Sequence, residues 1–189
     1  PHMGLELDRG LYAPLIVEDP HDPTTADVDV TLMLDDWLDG YGRSAEQVLA
    51  GLRKTGGHTM GGMNMGNMGN GGMGGMGGMD MGSSSGMGAS MMSSLAGDVT
   101  YPLHVINGRG PKELQTVTAK PGQHVRIRLI NAGSDTAYRV AIAEHRLTVT
   151  HTDGFAVQPV TVDHVVLGMG ERYDVLVTAK SGAFAIVAV

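Results

Sequence analysis

Several short stretches of the chain alternate apolar and polar residues. A period of two with one apolar face predicts strands that are half buried. The alternating stretches are 28–34, 124–129, 138–142 and 147–149, and β-branched runs at 165–167 and 173–177 extend the set. Many short strands at this spacing predict an all-β sandwich, with connections of the Greek-key kind.

Turn residues separate the predicted strands. The candidate turns are Pro121-Gly122, Asn131-Ala132-Gly133, Asp153-Gly154 and Ser181-Gly182. Glycine, asparagine and aspartate tolerate the backbone angles that tight turns require, and proline presets one of them. The chain from 101 to 189 is therefore expected to consist of strands joined by short turns.

One short helix is predicted between the first strand and the rest. Ser44 is followed three residues later by Gln47, which is the spacing of a capping box. Residues 45–54 are good helix formers, and we expect Gly56 and Gly57 to end the helix.

A low-complexity segment follows the helix. Residues 56–97 hold 16 of the 29 glycines and 11 of the 14 methionines of the chain. Ordering glycine costs more backbone entropy than ordering any other residue, so we expect a long disordered insert outside the sandwich. Pro1, His2 and Met3 are interpreted as a cloning scar.

Composition narrows the possible functions. The net charge is -7 and the basic residues are scattered, which disfavours a nucleic-acid partner. The chain has no cysteine, so it can form neither a disulfide nor a thiolate metal site. No apolar run reaches the roughly 20 residues that a membrane span needs. Neither the esterase nucleophile motif nor a phosphate-binding loop is present.

Six phrases occur in order along the chain: RGLYAPLIVE at 9–18, LDDW at 34–37, INGR at 106–109, PGQHVRIRLINA at 121–132, HRLTVTHTDG at 145–154 and GERYDVLV at 170–177. In this order they resemble the middle domain of bacterial three-domain multicopper oxidases of the laccase and copper-resistance type. The resemblance implies a cupredoxin-like Greek-key β-sandwich over 23–189, interrupted by the insert at 56–97. It also implies that 4–22 is a remnant of the preceding domain and its linker.

The resemblance further implies a function for the parent protein. Such enzymes oxidise Cu(I) or phenolic substrates and reduce O₂ to water, and they are exported to the cell envelope or secreted. Their type 1 copper needs a cysteine, and their trinuclear cluster needs His-x-His pairs from the first and third domains. This chain has no cysteine and no two histidines two positions apart. We therefore expect no catalytic or cofactor-binding residue here, no copper on the folded core, and a structural spacer between the first and third domains.

The histidines are weighed individually as metal ligands. His104, His124 and His164 are expected to be surface or hydrogen-bonded residues of the sheet. His145 and His151 are six apart, so they would face the same side if they flank one strand. They are the only pair in the predicted sandwich that we consider for a metal site.

Two pairs of charged residues also invite interpretation. Asp35 and Asp36 could perform acid–base chemistry, but such a pair more often ends a strand in solvent. Arg126 and Arg128 share one face of a predicted strand. They could pair with acids of a neighbouring domain or simply face water.

The methionines of the insert are the candidate metal ligands. A thioether is a soft ligand that suits Cu(I) and carries no proton, and the resemblance adds that some copper-resistance oxidases have methionine-rich inserts. The candidate Cu(I) ligands are Met60, Met63, Met65, Met68, Met73, Met76, Met79 and Met81, with His58.

Four readings of this segment and its domain stay open. It could be a Cu(I)-capturing arm of the oxidase, or an inert linker. The chain could instead be a stand-alone Cu(I)-buffering module, or a structural β-sandwich that binds other proteins or sugars. The small number of aromatic residues, with one Trp, two Phe and five Tyr, counts against the last.

Overall fold

The computed structural model describes residues 4–60 and 99–189, with 55–60 described by their backbone alone. Within these ranges the chain forms nine strands, one α-helix and one short 3-10 helix. The strands are β1 Val28–Trp37, β2 Leu103–Ile106, β3 His124–Asn131, β4 Tyr138–Ile142, β5 Leu147–Thr152, β6 Phe155–Val162, β7 Val165–Leu167, β8 Arg172–Thr178 and β9 Ile186–Ala188. The α-helix is α1, Ala45–Met60, and the 3-10 helix is Leu7–Arg9.

The strands form two sheets. The first has six strands in the order β2-β1-β3-β8-β5-β6, and the second has three in the order β7-β4-β9. Strands β1 and β3 are parallel, while the other neighbouring strands are antiparallel. The chain crosses between the sheets at β4, β7 and β9. This arrangement confirms the all-β sandwich with one helix that the alternating pattern predicts.

The core lies between the inward faces of the two sheets. Alternate residues of the predicted strands supply it, since successive side chains of a strand point to opposite faces. Leu34, Leu129, Leu147 and Leu167 are at most 1% exposed. Burying a leucine side chain contributes roughly 2–3 kcal/mol. The periodicity of the sequence therefore translates directly into the packing that holds the sandwich together.

The turn at Asp153-Gly154 is as predicted. Both residues have positive φ, 50° and 86°, which is typical of the two-residue turns that join hairpin strands. The turn connects β5 to β6. Asn131 differs from its predicted place in a turn, because it ends β3 and is buried. Its side-chain amide donates to the carbonyls of Thr136 and Leu167, and so it ties β3 to β7.

The helix α1 begins where the capping box predicts. The Ser44 N–H donates to the Gln47 side chain at 2.9 Å, and the Gln47 N–H donates to the Ser44 hydroxyl at 3.3 Å. The predicted end at Gly56 is wrong, since the helix continues to Met60. A glycine inside a helix costs about 1 kcal/mol relative to alanine, which weakens the helix without preventing it.

Some predictions concern residues outside the described ranges. These are the interpretation of Pro1, His2 and Met3, and the disorder expected of the insert. The boundaries at 22 and 23, and the assignment of 4–22 to a preceding domain, remain predictions. By its internal contacts the chain divides into the sandwich, within Pro1–Gly42 and Tyr101–Val189, and a second unit, Arg43–Thr100, which contains α1. None of the described helices is long and apolar enough to cross a membrane.

Candidate functional site

Asp35 and Asp36 lie near the end of β1 and are almost completely buried, at 1% and 0% exposed. The expectation that they are solvated is therefore wrong. The Asp36 carboxylate accepts hydrogen bonds from the backbone N–H groups of Ser134 and Asp135, at 2.8 and 3.0 Å. The Asp35 carboxylate accepts one from the Tyr12 hydroxyl at 2.7 Å and one from the Asp36 N–H at 2.9 Å. These partners provide the hydrogen bonds that buried charges require.

The environment of Asp35 changes its acidity. Burial raises the pKa of Asp35 to about 6, the hydrogen bond from Tyr12 opposes this rise, and the neighbouring Asp36 carboxylate adds to it. Burial, and then the bond to Asp35, raise the pKa of the Tyr12 hydroxyl. Asp35 therefore changes its charge in the neutral pH range while Tyr12 keeps its proton.

A third acid joins this group from the N-terminal segment. The Tyr101 hydroxyl donates to Asp8 at 2.7 Å, and the Ser134 hydroxyl donates to the same carboxylate at 3.3 Å. Burial, and then the bond to Asp8, raise the pKa of Tyr101. We refer to these groups together as the carboxylate cluster, which ties the N-terminal segment to the end of β1. The carboxylate cluster comprises Asp8, Tyr12, Asp35, Asp36, Tyr101 and Ser134.

A second polar group covers the face of the six-stranded sheet that points away from the core. Arg126 of β3 pairs with Asp22 at 2.8 Å and also donates to the Thr24 carbonyl. Arg128 of β3 donates two hydrogen bonds to Asp29 of β1, at 2.9 and 2.8 Å. Neither arginine simply faces water: Arg128 pairs with an acid of the sandwich, whereas Asp22, the partner of Arg126, lies in the segment 4–22 that is predicted to be a remnant of the preceding domain.

His151 and Asp174 complete this second group. The Arg128 guanidinium lies 3.5 Å from Asp174, and the His151 ring lies 3.6 Å from Asp22 and 3.9 Å from Asp174. We call the group the ionic ladder, since each neighbouring strand contributes to it. The ionic ladder comprises Asp22, Asp29, Arg126, Arg128, His151 and Asp174.

The carboxylates of the ionic ladder differ in acidity. Burial alone would raise the pKa of Asp22, but the Thr24 backbone N–H and Arg126 lower it overall. Burial raises the pKa of Asp174 above its usual value, although Arg128 and His151 oppose the rise. The hydrogen bonds to Asp29 raise the pKa of Arg128.

The two polar groups hold opposite ends of one stretch of chain. Tyr12 is bound to Asp35, and Asp22 and Thr24 are bound to Arg126. The stretch 12–24, which we call the strap, is therefore bound to the sheet at both of its ends. This arrangement has a structural role, since the carboxylates are occupied by hydrogen bonds within the chain.

The structure does not bring His145 and His151 together as a metal site. His145 precedes β5, and its ring bonds the Ala143 carbonyl at 2.8 Å and packs edge-on against Phe184. A register shift between Val149 and His151 breaks the period of two on which the prediction depended. Among the described side chains, those of 4–54 and 99–189, no three histidine or acidic groups are placed to hold a metal ion.

The other histidines of the sheet have ordinary environments. His104 bonds the Tyr138 hydroxyl through Nδ1 at 2.9 Å, as expected of a hydrogen-bonded residue of the sheet. His124 and His164 are exposed. The candidate Cu(I) ligands of the insert, from His58 and Met60 to Met81, have side chains outside the described residues, so that site remains a prediction.

The donor set of the sandwich does not fit a catalytic copper centre. A blue-copper site requires a cysteine thiolate, and the chain has none. Nδ1 of His104 already bonds the Tyr138 hydroxyl, and the two ring nitrogens of His145 bond the Ala143 carbonyl and the Lys180 backbone N–H. We therefore derive no redox step through the residues of this sandwich.

Comparison with known proteins places this fold among copper oxidases. The family model described as multicopper oxidase matches residues 29–189. Multicopper oxidase MmcO of Mycobacterium tuberculosis is 43% identical over 188 residues, covering 100% of this chain and 34% of that protein. A copper resistance protein A homolog of Pseudomonas syringae pv. tomato is 28% identical over 194 residues, covering 99% of this chain and 32% of that protein.

A solved structure confirms the cupredoxin-like fold. The laccase from Botrytis aclada superposes with a TM-score of 0.63 at 23% sequence identity, covering 98% of this chain and 29% of that one. At this identity the likeness concerns the fold alone. The chain spans about a third of the length of the curated relatives that it matches.

Proposed function

The chain belongs to the multicopper oxidase family, and we propose that it forms a non-catalytic middle domain of a larger enzyme. In this role it is a spacer that holds a first and a third copper-bearing domain in position. The parent enzyme would couple the oxidation of Cu(I) or phenolic substrates to the reduction of O₂ to water. It would be exported, as the resemblance to copper-resistance oxidases and laccases implies.

One observation carries this proposal. The sandwich is matched over its whole length by copper oxidases, yet it offers no cysteine and no His-x-His pair with which to bind their copper. A domain kept in such an enzyme without its metal ligands must act through its shape and its contacts. The ionic ladder and the carboxylate cluster support this role, since they link neighbouring strands and bind the strap to the sheet.

Copper loading tests the proposal. We expect the 189-residue chain, incubated with Cu(II) and with Cu(I), to show no blue-copper absorption band and no O₂ consumption with a phenolic substrate. The full-length parent, purified from the same host, should show both. A blue band or oxidase activity from the 189-residue chain would contradict the non-catalytic assignment.

The methionine-rich segment adds a second element to the proposal. Eight methionines between 60 and 81, with His58 beside them, supply soft ligands that Cu(I) prefers. We propose that this segment captures Cu(I) as an exchangeable store, separate from the oxidase chemistry. The chain's concentration of methionine in one segment supports this reading more than that of an inert linker.

An anaerobic Cu(I) titration followed by NMR of the methionine methyl groups tests the capture. Shifts should be confined to the methionines of the segment, while Met33 and Met169 serve as internal references because they lie in the sandwich. Replacing the eight methionines by leucine should abolish binding, and Met169→Leu should not. No shift at stoichiometric Cu(I) would leave the linker reading. A native gene product of only about this length that binds Cu(I) would favour a stand-alone buffer.

A further inference from the structure

Strand β6, at one edge of the six-stranded sheet, is exposed along most of its length. Seven of its eight residues are exposed and the eighth is partly buried. Its sequence FAVQPVTV contains no charged residue. Phe155, Val157 and Val160 are 77%, 37% and 56% exposed. Contiguous apolar surface of this kind typically marks an interaction site.

Burial of the inward face of the six-stranded sheet ends between β5 and β6. Val149 of β5 is paired with Val160 of β6, and both lie on the side of the sheet that faces the core. Val149 is 9% exposed while Val160 is 56% exposed. The sandwich therefore leaves the inward face of its own edge strand open to another body.

The edge itself is shaped against pairing with a further strand. Val157, Gln158 and Pro159 stand opposite Thr150 alone, because the register shifts between Val149 and His151. A bulge bends the strand, and a proline lacks the N–H that a new partner strand would need. Native edges use both devices to prevent strand addition. A partner must accordingly contact β6 through its side chains.

We propose that β6, through Phe155, Val157 and Val160, is the surface on which another domain of the same polypeptide packs. This inference rests on the proposed function. The length of the relatives indicates this occupant. The two relatives match 100% and 99% of this chain, yet the chain covers only 34% and 32% of them, so most of each relative lies outside the match. An uncharged, apolar edge suits the apolar surface of an adjoining domain, held close by the covalent linkage.

Hydrogen–deuterium exchange on the 189-residue chain and on the full-length parent tests the proposal. We expect the amides of 155–162 to exchange at least about tenfold more slowly in the parent. Phe155→Lys and Val160→Lys should lower the melting temperature of the parent and leave that of the 189-residue chain unchanged. Leu114→Lys is the matched control, because Leu114 is 84% exposed in a loop, and it should affect neither protein.

Three results would overturn the proposal. The amides of β6 exchanging equally fast in both proteins would show that no domain covers it. Lysine variants that are harmless in the parent would show the same. Self-association of the 189-residue chain that Val160→Lys abolishes would make a second copy the occupant. The mass of the native gene product distinguishes a failure of this inference from a failure of the proposed function. A product without further domains would refute the proposed function itself.

Discussion

Replacing Tyr12 by phenylalanine removes one hydrogen-bond donor from the carboxylate cluster. The Tyr12 hydroxyl lies 2.7 Å from the carboxylate of Asp35, a residue that is only 1% exposed to solvent. A hydrogen bond to a charged group contributes about 1.5–3 kcal/mol net, and one between neutral groups about 1 kcal/mol. The cost of the substitution must therefore depend on the charge of Asp35.

The pH dependence of this cost has a defined sign. The pKa of Asp35 is raised to about 6 in the folded protein, from roughly 3.9 for a free side chain. Its stabilising contribution is complete below about pH 4 and is lost as the pH rises through 6. Removing the Tyr12 donor raises the folded pKa further and so increases the loss. We expect Tyr12→Phe to lower the free energy of unfolding by about 1 kcal/mol at pH 5 and by about 2–3 kcal/mol at pH 8.

Urea denaturation at pH 5 and pH 8, followed by fluorescence, measures this difference. Trp37 is the sole tryptophan of the chain and follows Asp36 directly, so it reports on the relevant end of β1. Tyr41→Phe is the matched control, because Tyr41 is 58% exposed and its loss of a hydroxyl should change little at either pH. Equal costs at the two pH values, or a cost no larger than that of Tyr41→Phe, would refute the reasoning.

Three further substitutions test other parts of the structure by the same unfolding assay. The free energy of unfolding of the unsubstituted protein should fall by about 3 kcal/mol between pH 4 and pH 8, and Asp35→Asn should remove this fall. An unchanged pH profile would contradict the raised pKa of Asp35. Arg126→Met removes the guanidinium beside the largely buried Asp22 and should cost about 3 kcal/mol, against less than about 1 kcal/mol for Arg146→Met, whose ion pair is exposed. Gly154→Ala should cost about 1 kcal/mol. No atom obstructs a Cβ at this position, so the cost comes from the φ of +86° alone. Gly110→Ala is the control and should be tolerated, because Gly110 has no positive φ.

The fold was predictable where local chemistry and tertiary structure agree. The strands that line the core alternate apolar and polar residues along the sequence, so their period of two was readable without the tertiary structure. The capping box at Ser44 and the turn at Asp153-Gly154 satisfy their hydrogen bonds and backbone angles locally. Strand β6 was not predicted, since the bulge at 157–159 interrupts its alternation. The end of α1 was misplaced because glycine weakens a helix by an amount that other interactions can exceed.

The polar groups were not predictable in the same way. A pair of aspartates in a strand is predicted to face solvent when its hydrogen-bond partners are unknown. The partners of Asp36 are Ser134 and Asp135, which lie 98 and 99 positions away along the chain. Arg128 likewise pairs with Asp29 across 99 positions. Sequence patterns report the neighbours within one element, whereas these contacts are decided by which elements become adjacent. The expectation that the sandwich binds no copper depends instead on residues that the chain lacks, and it stays a prediction.

Strands β1 and β2 are direct neighbours in the sheet, although residues 38–102 separate them along the chain. In topological terms the two strands form a hairpin whose connection has been greatly lengthened. The entropy of closing a connection grows only logarithmically with its length, so each doubling costs about 0.6 kcal/mol. A change in the number of residues between these two strands therefore has little effect on the free energy of unfolding. Insertion or loss of residues there would therefore change the number of methionines in the connection at little cost to the stability of the sandwich.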